Sequence, residues 1–205
     1  MSTSDTPIII DPIFANYIPS FYPITQNSKT IGFRGRTLSA KKRRWLLQKM
    51  KTSGIDTIID LRAGDQSDDF PSACQDAGLK YFHFPVDKSR TKDEKIIENL
   101  PAFIETINNG RFYISCALGL HRTDIALSLY YIFNPNAQEP PVLYGHIVDG
   151  KLRYDDIFQR AGTIYHSIKK MDKNPLGWDD SFDIEYDRRK KLLLDPSAVF
   201  SKSSQ

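Results

Sequence analysis

An α/β fold, with a central, mostly parallel sheet of about four to five strands flanked by helices, is the class that this 205-residue chain predicts. Apolar strand-like runs at 55–60, 81–86 and 111–115 alternate with helix-like segments at 69–77, 93–108 and 124–132. Alternation of this kind needs crossover connections, and crossovers make a parallel sheet that is covered on both faces. Turn residues such as Gly54 and Asn109-Gly110 punctuate the elements. At 40% hydrophobic residues, a chain of this length can build one substantial core.

In chain order, residues 1–28 are rich in proline and aromatics without helical period, and read as an extended segment lying on the domain. Segment 38–52 carries Leu38, Trp45, Leu46 and Met50 near helical spacing. Segment 55–60 is a strand bounded by Gly54, 69–77 a helix containing Cys74, 81–86 a strand, and 93–108 a helix closed by Asn109-Gly110. A strand at 111–115 and a helix at 124–132 follow. Beyond Asn134 the pattern is fainter: a strand at 143–148, a helix over 154–171 and a charged helix over 182–194, all expected to pack on the preceding core. One domain over 29–196 and a loose tail at 197–205 complete the reading, with no internal repeat.

Chemistry concentrates at residues 115–123, Ser-Cys-Ala-Leu-Gly-Leu-His-Arg-Thr. Cys116 and Arg122 stand at the two ends of a tight loop, with Gly119 midway and Thr123 after the arginine. A strand feeding a short loop that opens a helix directs backbone N–H groups into one concavity where an anion binds. The helix N-terminus adds partial positive charge, and the guanidinium of Arg122 matches two phosphate oxygens. A thiol in that field ionises more readily than a free one. Alone, a cysteine is most often a small buried hydrophobe, Gly119 a turn residue, Arg122 a surface charge and Thr123 an N-cap. One phosphate site accounts for all four together.

Cys-x-x-Gly-x-x-Arg-Thr between a strand and a helix resembles the phosphate-binding loop of the protein tyrosine and dual-specificity phosphatases. Gly119-Leu120-His121-Arg122-Thr123 is similar to the plant-and-fungal atypical dual-specificity branch of that superfamily. Ser53-Gly-Ile-Asp-Thr-Ile-Ile-Asp-Leu-Arg62 looks like the segment that opens its catalytic sheet, and the order of segments agrees over about half the chain, from 31 to 133. The resemblance implies a phosphatase-like fold and a cysteine-dependent phosphomonoester hydrolase acting through a cysteinyl-phosphate intermediate. Cys116 would be the nucleophile, and Arg122 with the amides of Ala117, Leu118, Gly119, Leu120 and His121 would hold the phosphate. Thr123 would orient water or stabilise the thiolate. An upstream aspartate would serve as acid and then base: Asp87, 29 residues before Cys116, is favoured over Asp93, which reads as a first-turn residue of the next helix with Thr91 as N-cap.

Three departures from the family matter. Ser115 stands where most members have a histidine that orders the loop. Ala117, Leu118 and Leu120 replace basic side chains, which disfavours a very highly phosphorylated substrate and leans towards an aromatic or partly apolar leaving group. Asp124 replaces a glycine and would repel substrate if it faced the pocket. By the same resemblance, Arg34 and Arg36 border the active-site mouth as substrate contacts.

Four scattered histidines, His83, His121, His146 and His166, have no ligand spacing, so neither metal nor cofactor is expected. The net charge is +3, yet 26–55 holds nine Lys or Arg and no acid, with Lys41, Lys42, Arg43 and Arg44 adjacent. That cluster reads as a solvated helix face or a contact for an acidic surface; it lacks the aromatic interleaving of a nucleic-acid site. No transmembrane run and no charged leader precede Lys29, and two cysteines suit a reducing, cytoplasmic compartment. The expected partner is a phosphorylated substrate, a phosphoprotein or small phosphoester. Three alternatives stay open: a catalytically weak phosphate-binding module, an inositol-phosphate phosphatase, and other thiol chemistry such as sulfur transfer or arsenate reduction.

Overall fold

A computed structural model describes residues 11–63, 69–87, 93–145, 147–148, 151–152, 155–171, 174–179 and 181–194. In order they form α1 (Ile13–Tyr17), β1 (Tyr22–Gln26), β2 (Lys29–Arg36), α2 (Arg43–Thr52), β3 (Thr57–Asp60), α3 (Phe70–Asp76) and β4 (Lys80–His83). Then come α4 (Asp93–Asn108), β5 (Phe112–Cys116), α5 (His121–Phe133), β6 (Ile147–Val148), β7 (Lys151–Leu152), α6 (Asp155–Lys169) and α7 (Phe182–Leu194). The five-stranded sheet runs β1-β2-β5-β3-β4, all neighbours parallel except the antiparallel β1–β2 hairpin. β6 and β7 make a separate two-stranded ribbon.

β5 lies at the centre, and each of its five residues is buried. The chain leaves a place for it when β2, α2 and β3 are laid down, so the strand order reverses beside β5. In open α/β sheets the crevice outside the strand ends at such a point is where ligands bind. Helices α1, α2 and α3 cover one face over Phe33, Ile58 and Tyr113. Helices α4 to α7 cover the other over Ile59, Phe112 and Ile114. α5 is buried from Thr123 to Phe133, which is why it lacks the one-sided apolar stripe of a surface helix.

The N-terminal expectation needs correction: residues 11–28 are not an extended strap but a short helix and an edge strand of the main sheet. Phe14 is fully buried, and Asn27 and Ser28, with φ of 51° and 60°, make the two-residue turn that antiparallel twist favours. Residues 1–10 and 195–205 lie outside the described residues. α2 starts at Arg43 rather than at 38, because 39–42 are taken up by turn hydrogen bonds from Lys42 N to Ser39 O and Arg43 N to Ala40 O. Of the 143–148 strand only Ile147–Val148 forms.

The region after Asn134 has a plain structural task. Arg189 of α7 is 2% exposed and donates to Tyr131 O, Ala137 O and Pro135 O at 2.7–2.8 Å. A buried cation thereby ties one carbonyl of the last turn of α5 to the segment that follows it; the other end of α5 carries the loop of interest.

The basic cluster on α2 is also corrected. Arg43 is 4% exposed, paired with Asp69, bonded to Leu38 O and packed over Phe70. Arg44 pairs with Asp76. Lys41 and Lys42 remain exposed, the latter over the Tyr17 ring. No helix among the described residues is long and apolar enough to cross a membrane.

Candidate active site

β5 delivers Cys116 to the sheet's C-terminal edge, four residues turn, and α5 begins at His121. The turn is possible because residue 119 is glycine. Its φ is +74°, and a Cβ there would sit 2.3 Å from Gly35 C and 2.6 Å from Arg36 N. Gly145 presses from another side, since its Cβ would meet His121 N at 2.6 Å. The loop is therefore gripped between the backbones of β2 and of residue 145.

Cys116 is 3% exposed. Its carbonyl accepts from Thr37 N at 2.9 Å and from Gly119 N at 3.2 Å. The Gly119 amide is thus spent within the loop, and the role of Gly119 is steric and conformational. The first N–H groups of α5 have no intrahelical partners, as in any helix, and remain to meet an anion. Thr123 is fully buried and directs its Oγ1 at Cys116 Sγ, 3.5 Å away. Burial, and secondarily the charge of a Cys116 thiolate, hold the Tyr113 phenol protonated well above its ordinary range; it donates to Arg36 O at 2.6 Å. Arg122 is half-buried with no hydrogen-bond or ion-pair partner among the described residues, while Ala117, Leu118 and His121 are exposed and Leu120 is half-buried.

Behind the loop lies a device that sequence reasoning missed. Arg34, expected at the mouth, is 1% exposed and turned inward. Its Nε and Nη2 donate to Gly119 O at 3.3 and 3.0 Å, Nη2 to Leu120 O at 3.1 Å, and Nη1 to Val142 O at 3.2 Å. The same Nη2 lies 2.6 Å from Asp124 Oδ1. Asp124 Oδ2 in turn accepts from Tyr144 N at 3.0 Å and Gly145 N at 2.6 Å. Asp124 therefore faces away from the pocket and ties residues 144–145 to the loop. A guanidinium that holds the carbonyl side of a loop leaves its N–H side free to face a ligand. The sequence signal was the pairing of a basic residue before the first helix with the glycine-to-aspartate departure at 124. Ser115 is fully buried, and its hydroxyl has no hydrogen-bond partner among the described residues.

The neighbouring strand ends complete the crevice. The buried Asp60 carboxylate accepts from Arg62 N, Nε and Nη2 and from Tyr81 OH, all at 2.7–3.0 Å. Leu61 N donates to Ser115 O, and Phe84 N and Val86 N donate to Asp60 O and Leu61 O. These bonds carry the chain to Asp87, which is half-buried; its carbonyl accepts from the buried Arg160 of α6 at 2.5 Å. Asp93 opens α4, while Thr91 and His146 lie outside the described residues. No cluster of three His, Cys, Asp or Glu side chains among the described residues is placed to hold a metal ion.

Residues 16–141 match the family model described as DSP-PTPase phosphatase fused to NAD+ kinase. No curated protein matches the chain in sequence. Among solved structures, a DUF442 protein from Shewanella putrefaciens CN-32 is 16% identical, covers 77% of this chain and 98% of its own, and has a TM-score of 0.53. TpbA of P. aeruginosa in complex with pTyr is 15% identical over 91% of this chain and 99% of its own, with a TM-score of 0.46. At these identities the structural likeness concerns the fold, whereas the family match spans more than half the chain. With a cysteine loop of the right form on a phosphatase-like sheet, the chain belongs to the family of DSP-PTPase phosphatases fused to NAD+ kinase, and so to the cysteine-dependent phosphoric monoester hydrolases.

Proposed function

We propose that Cys116 attacks the phosphorus of a phosphomonoester held by Arg122 and the amides of Ala117, Leu118, Leu120 and His121, within a single catalytic domain that takes in α1 and β1 as well as 29–196. Asp87 protonates the leaving oxygen and then activates the water that cleaves the cysteinyl-phosphate. Thr123 stabilises the thiolate through its hydroxyl. The observation that carries this reading is the Thr123 Oγ1 to Cys116 Sγ approach of 3.5 Å in a loop whose carbonyls are tied back by Arg34. Charge in the transition state spreads over three equatorial oxygens, so positioning and electrostatics outweigh nucleophile strength. Ser115 is compatible with that, since the tie from Arg34 orders the loop without a histidine.

The substrate's leaving group meets Leu118, 54% exposed at the rim. Because the family description pairs this phosphatase with a NAD+ kinase, NADP+, a ribose phosphomonoester, joins the substrate panel with aryl phosphates, phosphopeptides and inositol phosphates. A reducing, cytoplasmic setting fits two free, buried cysteines. Contact with an acidic surface, if made, falls to Lys41 and Lys42, because Arg43 and Arg44 are engaged.

The test is hydrolysis of para-nitrophenyl phosphate between about pH 5 and pH 8 by wild type, Cys116→Ser and Asp87→Asn. Turnover is expected to vanish in Cys116→Ser, and to fall in Asp87→Asn on the limb that needs a protonated acid. Vanadate binding by a wild type that turns nothing over at any pH would make the protein a phosphate-binding module instead.

A further inference from the structure

A cavity of about 620 Å³ opens beside the loop at Ala117, between the end of β2, the 37–40 turn and Arg62. Three arginines line it, Arg36, Arg43 and Arg62, and no carboxylate does among the described residues. The three are not equivalent. Arg43 is committed to Asp69 and Leu38 O, and Arg62, 21% exposed, has its charge offset by the buried Asp60. Arg36 is exposed and has no side-chain partner among the described residues.

Its backbone, by contrast, is fixed at every available point. Arg36 N donates to Pro19 O at 3.0 Å, Arg36 O accepts from Tyr113 OH at 2.6 Å, and the next amide, Thr37 N, donates to Cys116 O at 2.9 Å. Arg36 is also the register partner of Cys116 across β2 and β5. Adjacent strands lie about 4.8 Å apart, so this guanidinium is mounted one strand away from the proposed nucleophile. A rigid mount, a planar cation unengaged by any described residue and a roomy cavity that reaches the catalytic loop, lined by arginines and by no described carboxylate, are the parts of a specificity pocket for an anion.

Resting on the proposed role of Cys116, we infer that this cavity is a second anion site, which takes a phosphate carried by the leaving group of a small phosphomonoester, with Arg36 as its principal contact. Ser39, exposed on the same wall, offers a hydroxyl suited to a polyol or ribose between the two phosphates. With one unengaged arginine, the pocket suits one additional phosphate group and not a densely phosphorylated ring.

Two matched pairs test it: fructose 6-phosphate against fructose 1,6-bisphosphate, and 2′-AMP against NADP+. The pairs also separate a sugar source of the second phosphate from a dinucleotide one. Wild type is expected to favour the second member of at least one pair in kcat/KM by about tenfold to a hundredfold, the size of one charge-assisted hydrogen bond. Arg36→Ala should collapse that ratio towards one, and Arg36→Lys should restore part of it. No preference in either pair, or a preference that survives in Arg36→Ala, overturns the inference. If wild type hydrolyses nothing, para-nitrophenyl phosphate included, the catalytic reading fails separately. Calorimetry of the same pairs on Cys116→Ser, with and without Arg36→Ala, then decides the anion site by the same ratio.

Discussion

Two arginines two residues apart on β2 do opposite work on the two sides of one loop. Arg34, behind it, is 1% exposed and saturated by Gly119 O, Leu120 O, Val142 O and the Asp124 carboxylate. Arg36, in front, is exposed and lines the cavity, with its backbone pinned and its side chain unengaged among the described residues. The rear of the site is a polar network whose donors and acceptors meet one another, and the front is where the proposed second anion would sit. A buried guanidinium with every donor used contributes geometry; the same group in a solvent-filled cavity contributes recognition.

The sharpest break of the comparison is at the nucleophile. Cys116→Ser should reduce turnover to background yet leave thermal unfolding nearly unchanged, which para-nitrophenyl phosphate assays and calorimetry would register together. Loss of fold would instead put Cys116 with the rear, structural network. Asp87→Asn should cost about 10²–10⁴-fold in kcat, as expected for a general acid. An effect on KM alone would remove it from that role.

Next in size is the rear clamp. Arg34→Ala should destabilise by about 3–5 kcal/mol in urea unfolding, because it strands the buried Asp124 carboxylate. Arg34→Met with Asp124→Leu should recover only part of that stability and none of the activity, since no charge is stranded but Gly119 O, Leu120 O, Val142 O, Tyr144 N and Gly145 N lose their partners. Full activity in the double variant would mean that the clamp is dispensable for loop geometry. The smallest effect belongs to the surface: Arg44→Ala removes an exposed ion pair with Asp76 and should cost less than about 1 kcal/mol. A larger loss would show that α2 and α3 are held by charge more than by packing.

The alternating sheet was legible because each inner strand is a short apolar run with its own helix, and helix bounds at 93–108 and 182–194 follow directly from apolar spacing and turn residues. β1 and β2 were not, because 22–36 mixes proline, glycine, threonine and arginine, and only pairing with β5 makes it strand. The 38–42 stretch has helical spacing but spends its backbone on turns, so spacing alone misled there.

At the site, the identity of the loop was local information: Cys116, Gly119, Arg122 and Thr123 lie within eight positions, and their chemistry requires no distant partner to be recognised. Asp87, favoured over Asp93 as the candidate acid, came from the family resemblance together with its place at a strand end. What Arg34, Asp124 and Arg160 do could not be read in the sequence. Arg34 meets Gly119 85 positions away, and Arg160 meets Asp87 73 positions away, and a charged side chain reads as surface until the fold closes over it.

The sequence by itself determined the strand–loop–helix, the candidate nucleophile and the family, because those rest on short-range order along the chain. Tertiary structure alone decided which arginine became buttress and which stayed free. That choice depends on burial, and burial belongs to the packed sheet rather than to any residue in it.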